Sequence, residues 1–168
     1  MDMRRSVPLC KAACLCVVIV LPAPQTAISQ EHSPVVDTGV IFSAEQLERS
    51  TDDYRALGIT PPYWTPSVAD IARLERQLKP YLAGETTSQA KTIDTRPGSH
   101  KRQYLGYTND GRRWIFVNSF CERWTKDRSF LEDFQIVFDG GPCVFTVRYD
   151  VSNSQFEQLR INGPWRWP

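Results

Sequence analysis

Two periods run through the chain. Val68, Ile71, Leu74, Leu78 and Leu82, joined by Tyr81, recur at helical spacing, with Asp70, Arg73, Glu75, Arg76 and Lys79 on the other side. The spacing predicts a helix over Pro66–Leu82, with Thr65 as N-cap, Pro66 as its first residue and Gly84 as its stop. Its charged side reads as a solvated face, with Glu75 and Lys79 in the favourable i,i+4 order. From Lys101 to Asp150 the period shortens towards two. Strands are predicted at Arg102–Thr108 and Arg113–Cys121, joined by Asn109-Asp110-Gly111, whose residues tolerate the positive φ of a tight hairpin turn. Phe134–Asp139 reads as a third strand with Phe134, Ile136 and Phe138 on one face. Gly140-Gly141-Pro142 then turns the chain into strands at Cys143–Asp150 and Phe156–Ile161.

The flanks are less regular. Residues 30–42 read as an extended arm with little structure of its own. Ser43 and Gln46 have capping-box spacing for a short helix to about Leu57, ended by Gly58. Thr60–Pro66 is a proline-stiffened connector in which Tyr63 and Trp64 are packing anchors, or Trp64 lines a ligand groove. Residues 85–99 form a long polar connection, mobile or functional. Trp165 and Trp167, in the tail 164–168, either cover the core or form a partner-binding hook. The expected architecture is one α+β domain over residues 43–163, its N-terminal helix packed on a four- or five-stranded antiparallel sheet.

The N-terminus changes the picture of where the chain goes. Arg4, Arg5 and Lys11 precede the apolar run Ala12–Leu21, and small polar residues follow, the order of a secretory signal peptide over residues 1–29. Cleavage fits after Ser29 or after Ala27. A buried helix or an uncleaved anchor is the competing reading. The expected location is periplasmic or secreted, with no transmembrane segment after signal removal. Residues 1–29 hold three of the 20 basic and one of the 19 acidic side chains, so the remainder has a net charge of −1 at neutral pH. A nearly neutral chain has no electrostatic footprint for nucleic acid.

Export also changes the reading of the cysteines. Of five, Cys10, Cys14 and Cys16 leave with the signal, and the remaining pair, Cys121 and Cys143, is most simply a disulfide. In an up-and-down meander Cys121 and Cys143 lie at opposite ends of the sheet, because each strand residue advances about 3.3 Å and bonded cysteines keep their Cα atoms within about 7 Å. A bond therefore makes their strands antiparallel neighbours, with Ser119 opposite Phe145, Val117 opposite Val147 and Ile115 opposite Tyr149. Asn118–Thr146 and Phe116–Arg148 then pair on the other, more mixed face. Residues 122–132 become a crossover. Two unbonded buried thiols in a meander are the alternative.

Candidate chemistry adds little. His32 and His100 are far apart in sequence, and neither metal-ligand spacing nor a calcium loop is present; Asp139-Gly140-Gly141 fits a tight turn. No cofactor is implied, because neither a glycine-rich phosphate loop nor a serine nucleophile elbow occurs. Ser99-His100 are sequence neighbours only, and Asp52-Asp53 and Glu132-Asp133 are adjacent carboxylates, of which the second pair faces opposite ways on a strand. Basic and aromatic residues interleave at Arg102, Tyr104, Arg112, Arg113 and Trp114. They form a candidate surface for an anionic partner, if the hairpin brings Arg102 near Arg112 or Arg113. Charged protection of an edge strand is the blander account.

The phrases RQYLGY, VNSFC, DGGPCVFTVRYD and LRING resemble a recurrent pattern in small exported bacterial proteins to which no activity is attached. The resemblance covers roughly the last seventy residues and the helix started by Trp64-Thr65-Pro66. A helix followed by antiparallel strands is similar to cystatin-like α+β folds, at the level of fold alone. The Gln-x-Val-x-Gly loop of cystatin-type inhibitors is missing, so protease inhibition is not implied. Two function classes result. One is a non-catalytic exported protein of the cell envelope or medium that binds an unidentified protein or envelope partner. The other is an enzyme or small-ligand binder with a cavity between helix and sheet, for which Asp94, His100, Asn118 and Arg148 are the candidate lining groups.

Overall fold

The computed structural model describes residues 34–50, 54–126, 129–137 and 140–162. The expected signal segment, His32, Asp52-Asp53, Asp139, Trp165 and Trp167 lie outside the described residues. In chain order the elements are strands β1 (Val35–Val36) and β2 (Gly39–Phe42), helix α1 (Ala44–Arg49), β3 (Tyr63–Trp64) and helix α2 (Val68–Gly84). Then come β4 (His100–Asn109), β5 (Arg112–Cys121), helix α3 (Ser129–Glu132), β6 (Val144–Asp150) and β7 (Gln155–Ile161).

The β4–β5 hairpin closes on a two-residue turn. Asn109 pairs with Arg112, and Asp110 and Gly111 take φ of +49° and +72°, the conformation that this turn type requires. β6 lies antiparallel on β5 with Val117 opposite Val147, Ser119 opposite Phe145 and Ile115 opposite Tyr149. Cys121 and Cys143 are bonded, with Cα atoms 4.8 Å apart. This is the register that the cysteine pair requires. β7 pairs with β6 through a bulge at which Gln158 has φ +56°. The extra residue puts Phe156 on the same face as Leu159 and Ile161.

The expected architecture, an α+β domain with a helix on a four- or five-stranded antiparallel sheet, is overturned. Among the described residues the sheet has seven strands and is mixed: β1-β2-β4-β5-β6-β7 in order, with β3 also on β4 and β2 running parallel to β4. Residues 35–42, expected as an arm with little structure, supply two of the strands. β2 is Gly39-Val40-Ile41-Phe42 and every residue in it is buried, so no polar position alternates to reveal it. β1 and β3 are two residues each, shorter than any readable period.

Two more expectations fail locally. Residues 134–137 form no strand; Phe134 instead packs edge-on against Phe42 and Tyr54, while Ile136 is 44% exposed. α2 is capped by Ser67, whose hydroxyl accepts from Asp70 N while the Asp70 carboxylate accepts from Ser67 N. Thr65 serves a different helix, accepting from Ala44 N at the start of α1 at 2.9 Å.

Both faces of the central strands are covered. On one, Tyr104, Ile115, Val117, Phe145, Val147 and Tyr149 form a core with Ile71, Leu74, Leu78 and Leu82 of α2. Each buried Leu or Ile of that stripe stabilises by about 1.5–3 kcal/mol relative to exposure. On the other, Leu105, Tyr107, Phe116 and Phe120 pack with Val40, Phe42, Leu47, Tyr54, Phe130 and Phe134. Polar residues on this second face are used internally. Gln103 donates to the carbonyls of Phe130 and Asp133, both at 2.8 Å, and accepts from Gln135 N at 2.9 Å. Asn118 donates to Gln135 O at 2.7 Å. These two amides replace the backbone partners that the 130–135 segment lacks by not being a strand.

Candidate functional site

The start of β4 carries His100, Lys101 and Arg102, and the parity of the strand sends Arg102 and Tyr104 to the α2 side. There the Arg102 guanidinium meets Glu75, Nη1 to Oε2 at 3.1 Å, with the two side chains 15% and 19% exposed. Tyr104 Oη donates to Glu75 Oε1 at 2.9 Å and lies 2.7 Å from Thr38 Oγ1. Burial, then the Glu75 charge, pushes the Tyr104 phenol far above its ordinary range, so it stays a neutral donor. Both oxygens of Glu75 are thus occupied, by a cation and by a phenol.

A cavity of about 420 Å³ opens beside this cluster, between the C-terminal half of α2, the start of β4 and the 93–98 segment. Leu78, Leu82, Ile93 and Phe145 give it apolar walls. Asp37, Glu75 and Asp94 line it with Lys79, Arg96 and Arg102, and His100 closes one side. On the rim Arg96 holds Asp94 by two nitrogens, Nε at 2.9 Å and Nη2 at 2.5 Å. That pair, with the Arg96 N–H, draws the Asp94 carboxyl down to about 2. Ser99 Oγ shares its one proton between the Asp94 and Arg96 carbonyls, 2.7 and 2.8 Å away, and so pins the rim segment.

His100 is buried against Phe145, with Nδ1 3.1 Å from Ser99 Oγ and Nε2 3.8 Å from Cys121 Sγ. Burial first, then the Arg102 charge, lowers its pKa, while the carbonyls of Pro142 and Asp94 oppose the shift. Ser99 and His100, neighbours in sequence, are therefore also in contact. The serine is committed to backbone carbonyls and the imidazole is held neutral.

The interleaved basic and aromatic residues do not form one surface. Arg102 pairs with Ser119, whereas Arg113 pairs with Thr108 and Arg112 with Asn109. Six residues of β4 separate the two ends, about 20 Å of strand. Arg102 and Tyr104 belong to the cavity. Trp114 is buried on the opposite face. Arg113 lies over the Trp64 ring, 3.5 Å from its centre, and Trp64 Nε1 donates to Tyr107 O. Arg112 pairs with the buried Asp150, which also accepts from Ser152 N and Asn153 N and so closes the β6–β7 turn. Trp64 is a packing anchor, in contact with Gly106, where a Cβ would stand 2.2 Å from Trp64 O.

Of the four lining candidates, Asp94 and His100 share the large cavity. Asn118 and Arg148 line a smaller one of about 150 Å³ on the other face, beside β7. Sequence reasoning missed Glu75 and Thr38. Glu75 follows Leu74 and stands at the edge of the apolar stripe, which is the available signal that it is not fully solvated. Glu75 turns to Arg102 rather than to Lys79. Among the described residues no group of three His, Cys, Asp or Glu is placed to hold a metal ion, and no helix is long and apolar enough to cross a membrane. Comparisons with protein-family models, curated proteins and solved structures each gave no match to the chain.

Proposed function

We propose that this chain is an exported, non-catalytic protein of the cell envelope or medium, and that its partner is a small polar molecule held in the cavity between α2 and the start of β4. The observation that carries the reading is the largely buried Arg102–Glu75–Tyr104 cluster opening on about 420 Å³ of space with apolar walls. That volume lies in the range of small-molecule sites, about 300–1,000 Å³, and few convergent polar groups on apolar walls are their usual lining. Binding suits the site better than catalysis. Glu75, Asp94 and Ser99 are each committed to a fixed partner, whereas acid–base work needs a group poised to exchange its proton.

The bonded Cys121–Cys143 pair fits an oxidising compartment and supports export, together with the signal-like order of residues 1–29. The test is to express the full chain in a bacterial host and isolate it from the periplasm or medium. The protein is expected there shortened at its N-terminus and without free thiols. Mass spectrometry after denaturation should release a small molecule from it that the Arg102→Met variant does not carry. Full-length, reduced protein confined to the cytoplasm contradicts export. Identical small-molecule content in both proteins contradicts the site.

A further inference from the structure

We infer that the smaller cavity, beside β7, is a second site that takes a small organic acid, a carboxylate on an apolar body the size of one ring. It stands on the opposite face of the sheet from the cavity between α2 and β4. Charge is the first support. Arg148 and Arg160 line the space, and among the described residues no carboxylate does. Arg160 pairs with Thr146, two residues before Arg148, so the two arginines are diagonal neighbours on one face, with Cα atoms about 7–8 Å apart. Like charges that close repel, and one carboxylate between them removes the repulsion. Neither arginine is in an ion pair with a described residue. Glu157, opposite Arg148 in register, does not line the cavity.

Arg148 is held in place for this role. Its Nη2 donates to Leu57 O at 2.6 Å, and its guanidinium lies 5.8 Å from the centre of the Tyr107 ring. Gly58 leaves room for it, since a Cβ there would stand 2.5 Å from Nη2. The remaining Arg148 nitrogens and the whole Arg160 guanidinium have no hydrogen-bond partner among the described residues. Three carbonyls of the lining residues are already used, Leu57 by Arg148, Gln135 by Asn118 and Val137 by Asn162. Charged donors are left over and charged acceptors are not, which selects an anion. Shape is the second support. Leu57, Phe116, Phe134 and Val144 give apolar walls to about 150 Å³ of space, and Ile136, 44% exposed, borders it. Apolar space of about that volume holds one benzene-sized ring. The β7 bulge serves the same cavity: Gln158, at φ +56°, lines it together with Arg160.

The test is amide chemical-shift titration of the disulfide-bonded protein with benzoate and with isovalerate. Benzamide keeps the ring without the charge, and inorganic phosphate keeps the charge without the apolar body. Saturable shifts are expected with at least one acid, at residues 134–137, 146–148 and 158–162. Benzamide should bind at least about tenfold more weakly, and phosphate should give no saturable shift. Arg160→Met, at an exposed position, should weaken the acid about tenfold, as the loss of one charge-assisted hydrogen bond does. Thr95→Trp, on the exposed rim of the cavity between α2 and β4, should narrow that cavity and still bind the acid like the parent. The inference is overturned if neither acid binds, if benzamide or phosphate matches the acid, or if Arg160→Met binds it like the parent. It is also overturned if the shifts fall on residues 75–82 and 93–102 and vanish in Thr95→Trp, a result that would place the acid in the first cavity.

Discussion

Arg102 and Glu75 meet across the gap between β4 and α2, and Glu75 carries the Tyr104 phenol on its other oxygen. Losing either partner strands the other in a poorly solvated place. Glu75→Ala is expected to lower stability by about 2–3 kcal/mol, less than for a fully buried pair because both groups keep some water contact. Arg102→Met should cost a similar amount, and the double variant less than the sum, since no charge is then left alone. Urea unfolding of the four proteins measures this; additive losses would mean that the pair contributes nothing.

The pH dependence of stability carries the signature of His100. Its folded pKa lies below the ordinary value of about 6.5, so folding favours the neutral ring. The contribution is present above pH 6.5 and is lost as pH falls from there through the folded pKa, because the unfolded chain takes up the proton first. Asp94 and Arg102 face the ring, and the Asp94 carboxyl, drawn down to about 2, stays ionised throughout this window. Stability should drop between pH 7 and pH 5, and His100→Gln should flatten that slope. Equal slopes in parent and variant would contradict the assignment.

Gln103 is a single side chain holding a whole segment. Replacing it by Leu leaves the Phe130 carbonyl and Gln135 N without a side-chain partner, and the Asp133 carbonyl with Gln135 Nε2 alone. A loss of about 2–4 kcal/mol is expected, at about 1–3 kcal/mol for each buried group that water does not reach. Amide exchange should show faster opening confined to residues 129–137. Unchanged exchange there would mean that the segment is held by its aromatic packing alone.

Two glycines give a contrast. Gly106→Ala drives a methyl into the Trp64 carbonyl and ring, for an expected loss of about 1–3 kcal/mol. Gly84→Ala, at the end of α2 with nothing within 4 Å, should be neutral or stabilise by up to about 1 kcal/mol. Thermal unfolding of both variants checks the contact between β3 and β4.

The hairpin, the disulfide and the β5–β6 register were legible because each rests on local rules: a two-residue turn, a fixed bond reach and a strict alternation of faces. β2 was not legible, because a fully buried parallel strand has no polar face to alternate. The Phe134–Asp139 alternation misled for a related reason: Phe134 is buried by Phe42 and Tyr54, not by a neighbouring strand, and Gln103 supplies the hydrogen bonds that a ladder would have given. The site was half visible. Arg102 and Tyr104 stood out by composition, but they were grouped with Arg112 and Arg113, from which the hairpin register separates them. Glu75 looked solvated until the helix was set against β4.

The cavity itself is tested most directly by amide chemical-shift mapping of the isotope-labelled, oxidised protein, titrated with the small-molecule fraction released from the protein isolated after export. Shifts are expected to cluster at residues 75–82 and 93–102, on both walls of the cavity, and to vanish in Thr95→Trp. Shifts confined to β7 and the β4–β5 turn, or none at all, would contradict a ligand site between α2 and β4.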